Sequence, residues 1–173
     1  MRTAQLGDLS LKDIFFKTFI DDYSPYYFRW FHSKSKDLVY ISEDENKSLK
    51  ALLKLKIEGS EKDYSDITPR FPKAKRLKIC SFKVDYTGEK LGERFIRIIF
   101  DTALEEKVDE IYVTIYNTSK IRKRLIDLLE RWGFYNWGKK KEELAYLRKL
   151  NGSLTGNLRK DFPFHSFNGK AYI

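Results

Sequence analysis

Apolar residues recur along this chain in two rhythms, every second residue in some stretches and every third or fourth in others. Their order predicts a layered α+β protein. Leu77–Val84 alternates apolar and polar side chains and reads as a strand, Asp85–Lys90 has turn chemistry around Gly88, and Leu91–Lys107 has helical periodicity. In that helix Leu91, Phe95, Ile98, Ile99, Thr102 and Ala103 share one face, against Arg94, Arg97, Asp101 and Glu105 on the other. A further strand, Glu110–Tyr116, leads through Asn117 into an amphipathic helix, Ser119–Trp132. Its apolar face carries Ile121, Leu125, Leu128, Leu129 and Trp132, and it ends on Gly133-Phe134. Two closing strands, Phe134–Trp137 and Glu143–Leu150, flank the basic turn Gly138–Lys141.

Before this block the pattern is less regular. Met1–Asp8 reads as a loose start, followed by a helix capped by Ser10 with Leu11, Ile14, Phe15 and Phe19 on one face. Tyr23-Ser24-Pro25 breaks it, with Ser24 as the cap and Pro25 as the first residue of a short second helix. That helix carries Tyr26, Tyr27, Phe28, Trp30 and Phe31. These aromatics either pack helices against a sheet, the commoner role of large rings, or line a pocket. Asp37–Ser42 and Ser48–Glu58 are expected strands joined by the polar turn Glu43–Lys47. In the second of them Leu49, Ala51, Leu53, Leu55 and Ile57 face one way and Lys50, Lys54 and Lys56 the other, with Leu52 interrupting the polar row. Gly59–Lys75 is polar and without period, an expected surface loop. Asn151–Ile173, rich in Gly, Asn and Ser, is read as an extension beyond a domain at 1–150, either docked on it or leading to a further segment.

Composition narrows the classes. With 173 residues, 42% hydrophobic and 16% aromatic, the chain has material for one domain with a sizeable core, and disorder is excluded. A net charge of +9 and a pI near 9.4 favour acidic partners: phosphate groups, nucleic acid, an acidic protein or an anionic surface. No apolar run reaches the roughly 18 residues of a membrane span, and no apolar leader follows the N-terminal charge. With Cys80 the only cysteine, no internal disulfide can form, and a cytoplasmic location is expected. Cys80, mid-strand beside Ile79 and Phe82, reads as a small core residue rather than a nucleophile. His32 and His165 are the only histidines, so neither a zinc site nor a triad is expected.

The strand, tight turn and helix of Leu77–Lys107 would stack backbone N–H groups at a helix N-terminus, a favourable place for phosphate or pyrophosphate. Together with the following strand–Asn117–helix–Gly133-Phe134, this order resembles the GCN5-related N-acetyltransferase (GNAT) superfamily over about Asp37–Arg148. The family's loop pattern Q/R-x-x-G-x-G/A falls on Thr87, Gly88, Glu89, Lys90, Leu91 and Gly92. Gly92 matches the last glycine, while Thr87 and Lys90 depart from the pattern.

The resemblance implies an acyl-CoA N-acyltransferase-like fold: a central mixed, mostly antiparallel sheet of about six or seven strands with helices on both faces. It implies acetyl-CoA as cosubstrate without a metal. The pantetheine chain would pair with Phe82, Lys83 and Val84, the pyrophosphate would lie on Gly88–Glu93, and Asn117 would touch the cofactor. Where many members carry a Tyr that protonates the leaving thiolate, this chain has Leu129, so no catalytic acid is assigned. Tyr112 and Tyr116 lie in the right strand and either pack or stand exposed. Asp85 is the candidate base, although residues of its kind in turns more often hold backbone N–H groups. The expected function is acetyl transfer from acetyl-CoA to an unidentified amine. The alternative is a catalytically degenerate binding or regulatory module with a protein or nucleic-acid partner, using Lys120–Arg124 and Lys139–Lys141. A homodimer is compatible with either.

Overall fold

The computed structural model describes residues 1–85, 89–150 and 155–163, and all structural statements concern these. They form seven strands and five α-helices: β1 (Arg2–Gln5), α1 (Lys17–Tyr23), α2 (Tyr26–Ser33), β2 (Leu38–Glu43), β3 (Leu49–Glu58), β4 (Arg76–Val84), α3 (Glu89–Glu105), β5 (Glu110–Ile115), α4 (Lys120–Arg131), β6 (Tyr135–Lys140), β7 (Glu143–Lys149) and α5 (Leu158–Asp161). The strands make one mixed, mostly antiparallel sheet in the order β1-β2-β3-β4-β5-β7-β6, flanked by helices, the expected α+β architecture. Parallel pairing joins β4 to β5, from Arg76↔Glu110 to Ile79↔Val113. The chain divides into two compact units, Met1–Leu55 with Ser81–Gly92, and Lys56–Cys80 with Glu93–Ile173.

In the first unit the start of the chain is not loose. Arg2–Gln5 pairs antiparallel with Leu38–Ile41, so β1 is an edge strand, and Arg2 forms an ion pair with Glu43 at 3.0 Å. Ala4 is its single buried residue, too little alternation to announce a strand. The next segment also differs from expectation. Asp13, not Ser10, caps a 3₁₀ turn Ile14–Phe16 by accepting from the Phe15 N–H, and Ile14 points out, 76% exposed. Pro25, not Ser24, occupies the N-cap position of α2. Phe15, Phe16, Tyr27 and Phe31 are core with Val39, Ile41 and Leu52: Phe16 packs edge-on to Phe15 and Phe31, and Tyr27 is stacked on Phe19 and tilted against Trp30. Packing therefore accounts for these rings, while Tyr26 and Phe28 are exposed. Lys54, expected on a wet face, is buried and ion-paired to Asp37 at 2.8 Å.

In the second unit Gly59–Lys75 is no surface loop. Tyr64, Ile67 and Phe71 are buried with Tyr112, Ala145 and Leu147 in one cluster, with Trp137 against it. Thr68 and Lys139 exchange main-chain hydrogen bonds of 2.8 and 2.9 Å, and the Trp137 Nε1–H donates to the Pro69 carbonyl at 2.7 Å. Close approach at this seam requires Gly138, where a Cβ would lie 2.1 Å from the Thr68 carbonyl oxygen. Gly138–Lys140 accordingly belongs to β6, and the expected basic turn shrinks to Lys141-Glu142, with Lys141 at φ 52°.

Ser119, expected as the first residue of the helix, is instead the cap of α4, its Oγ accepting from the Arg122 N–H. Gly133, at φ +84°, takes the left-handed conformation that ends this helix. The Arg148 guanidinium then reaches the Trp132, Lys160 and Phe162 carbonyls, and the Phe162 ring lies edge-on to Phe100 and Trp132 at 5.3 and 5.5 Å. Residues 155–163 are thus docked on α3 and α4. Among the described residues no helix is long and apolar enough to cross a membrane.

Candidate functional site

β4 is buried along most of its length, so its side chains are spent on packing and its main chain must serve any ligand. Within the first unit Phe82 and Lys83 are buried and Val84 half-buried. The Lys83 ammonium donates to the Phe15 carbonyl, lies 4.3 Å from the centre of the Phe15 ring and pairs with Asp85 at 3.2 Å. The Asp85 N–H donates to the Lys50 carbonyl at 2.7 Å. Asp85, the candidate base, is therefore an ion-pair anchor that fixes the end of β4.

Thr87 and Gly88 lie outside the described residues, as does Tyr86. Helix α3 starts at Glu89, two residues earlier than the periodicity suggests. Glu89, Lys90, Leu91 and Gly92 consequently form its first turn rather than a loop. A Lys in that turn adopts ordinary helical geometry, which removes the conflict between Lys90 and a pattern glycine. Lys90 is exposed, Leu91 half-buried and Gly92 buried.

In the second unit Glu93 continues α3, half-buried and paired with Arg159 at 2.9 Å. Asn117 is exposed between β5 and α4. The structure thus brings Phe82–Asp85 and Glu89–Gly92 together in one unit and carries Glu93 and Asn117 in the other. Leu129 is fully buried in α4, a core residue. Cys80, expected in the core, is only half-buried.

The second unit also holds a polar cluster that the sequence pattern does not announce. Glu58, the last residue of β3, is 5% exposed, and its Oε2 accepts from the Tyr112 hydroxyl at 2.7 Å and the Tyr64 hydroxyl at 3.0 Å. Its Oε1 faces the exposed Lys56 ammonium at 3.5 Å. Burial, the largest influence, pushes the Glu58 carboxyl up, but the two hydroxyls together with Lys78 and Lys56 outweigh it and hold it below its ordinary value. Burial and the same carboxylate raise both phenols, Tyr64 to about 12. Arg76, fully buried, pairs with Glu110 at 2.7 Å, and its guanidinium carbon lies 4.8 and 4.6 Å from the centres of the Tyr64 and Phe71 rings. The one available signal was Leu52, whose place in the polar row shows that this face of β3 is not simply wet. Among the described residues no three His, Cys, Asp or Glu side chains are grouped to hold a metal ion.

No protein-family profile matches the chain, and no curated protein is significantly similar to it. Solved structures are similar in fold. A putative phosphinothricin N-acetyltransferase superposes with a TM-score of 0.56 at 18% identity, over 87% of this chain and 98% of the other. The NAA60 protein of Arabidopsis thaliana, in complex with a bisubstrate analogue, gives 0.56 at 16% identity, over 79% and 91%. The PaiA N-acetyltransferase of Thermoplasma acidophilum, in complex with coenzyme A, gives 0.54 at 13% identity, over 86% and 99%. The chain has the fold of the GNAT acetyltransferases.

Proposed function

We propose that this chain binds acetyl-CoA and transfers the acetyl group to an amine. The observation that carries the reading is the end of the parallel ladder: pairing with β5 stops at Ile79↔Val113, while β4 continues to Val84 and α3 follows within a few residues. Beyond the last pair, the main chain of Phe82, Lys83 and Val84 has the extended geometry that a pantetheine arm would pair with as an added strand. The first turn of α3 supplies unpaired N–H groups and the positive end of the helix dipole for the pyrophosphate, and the exposed Lys90 ammonium adds to that attraction. Thr87 and Gly88 belong to the same turn by sequence. When bound, the thioester supplies an activated acyl carbon, and the chain's task is to fix it and present the amine.

Lys90→Glu tests this placement, because Lys90 is exposed and its loss costs little stability. The variant is expected to keep the melting temperature of the parent and to bind CoA roughly 3- to 10-fold more weakly in calorimetry. Equal binding would move the pyrophosphate elsewhere.

A second reading has an observation of its own. Leu129 is sealed in the core, and Lys120, Lys123, Arg124, Lys139 and Lys141 are exposed. A binding module for an acidic protein or nucleic acid would use this charge. Its affinity would fall steeply with salt as counterions are released.

A further inference from the structure

We infer that the second unit carries a docking surface for a nucleic-acid duplex, formed by the start of α4 and the end of β6, which holds the phosphate backbone without reading sequence. This rests on the binding-module reading, for which it names the partner, and is independent of acyl transfer.

Charge is divided unevenly between the two units. Of the 34 Lys and Arg and the 25 Asp and Glu, 23 and 15 fall in the second unit, leaving 11 and 10 in the first. Nearly all of the net charge of +9 therefore belongs to one compact body. Within it the excess gathers at one place. Lys120, Lys123 and Arg124 recur at the three- and four-residue spacing of a single helix face, and all three are exposed on α4.

The sheet brings Lys139 to the same side. Ile115, Leu144 and Lys139 are register partners across β5, β7 and β6, so they share a sheet face. Tyr146, two residues from Leu144 on that face, donates its hydroxyl to Glu130 of α4 at 3.0 Å, which identifies the face as the one α4 covers. Since β5 ends at Ile115 and α4 begins at Lys120, Lys139 lies at the end of the sheet where α4 starts. Lys141, exposed in the β6–β7 turn, extends the surface. Among the described residues the Lys120, Lys123, Lys139 and Lys141 ammonium groups form no ion pair, whereas Lys140 is held by Asp66 at 2.8 Å. The carboxylates of the turn are Glu142, exposed, and Glu143, half-buried and facing Arg122. The cations outnumber them.

The first turn of α4 contains no acidic residue, although its dipole favours anions there. Like charges at this spacing beside the positive end of a helix cost the fold stability, and an external polyanion relieves the repulsion. The chemistry of the surface selects among polyanions. A protein interface centres on apolar and aromatic side chains and is depleted in lysine, but Ile121 is the one exposed large apolar side chain of α4. A single strand needs rings on which its bases stack. The exposed ring of β6, Tyr135, pairs with Leu147 and so stands on the opposite face of the sheet. A duplex, with its bases stacked inside and its phosphates outside, asks only for the cations present.

The test is fluorescence anisotropy of the full chain with labelled DNA and RNA duplexes of about 20 base pairs, the corresponding single strands, and polyglutamate as competitor. At least one duplex is expected to bind, with a log–log salt slope of about −4, or a loss of roughly 250-fold between about 50 and about 200 mM salt. Lys123→Glu and Lys139→Glu are each expected to weaken that binding about 3- to 30-fold for any duplex sequence and to reduce the slope by about 1. Lys12→Glu, an exposed charge of the first unit, is expected to stay within about twofold of the parent. Melting temperatures check the fold. Should Lys139→Glu loosen the contact with Thr68, Lys123→Glu decides. No duplex binding at about 50 mM salt, equal losses from Lys12→Glu, or tighter binding of the single strands would each overturn the inference. Displacement of the duplex by polyglutamate at equal charge would also overturn it and leave the binding-module reading with an acidic protein as partner. CoA binding by the parent in calorimetry scores the cofactor reading separately.

Discussion

Glu58 is a buried carboxylate whose neighbours keep it charged, and that has a measurable consequence for stability. Its ordinary value is 4.5 and its folded value is lower, because the Tyr112 and Tyr64 hydroxyls and the lysines overcome the upward push of burial. A depressed folded value means that the stabilisation is fully present above 4.5 and is lost as pH falls through the folded value. The urea midpoint of the parent is therefore expected to drop more steeply than that of Glu58→Gln between about pH 6 and about pH 3. Parallel curves would show that the carboxylate gains nothing from its partners. At this scale the sequence was partly legible. Lys90 and Gly92 were identified as departure and match, and both fall in the first turn of α3. Glu58 was not singled out, because a strand-end Glu after Lys54 and Lys56 looks like one more solvated charge. Its burial depends on Tyr64 and Phe71 folding back over it, and nothing local encodes that.

Periodic elements were legible and aperiodic ones were not. β3, β4, β5, α3 and α4 lie within one or two residues of their expected bounds, since each repeats its apolar positions often enough to define a face. β1 escaped because one buried alanine makes no pattern. The segment 59–75 escaped because Tyr64, Ile67 and Phe71 bury themselves without strand or helix spacing. Its seam to β6 can be tested at Gly138. A methyl group there meets the Thr68 carbonyl oxygen, a main-chain atom that cannot step aside. Gly138→Ala is expected to destabilise the second unit by about 1–3 kcal/mol in urea denaturation, by forcing the segment off β6. A change within about 0.5 kcal/mol would mean that the seam is loose.

For the whole molecule, topology carries the functional argument. The strand order and the parallel pairing of β4 with β5, which runs only from Arg76↔Glu110 to Ile79↔Val113, are the features on which the acyl-transfer reading rests. That arrangement was readable from the order of elements, although the loop pattern itself departs at Thr87 and Lys90. The acceptor was not readable, because recognition of an amine depends on side chains from several segments whose juxtaposition no single stretch encodes. The measurement that tests the central claim most directly is isothermal titration of the purified chain with acetyl-CoA and, separately, with CoA at moderate salt. The account predicts saturable binding of both at one site. No heat of binding at about millimolar ligand, an affinity too weak to sustain a cosubstrate role, would contradict it.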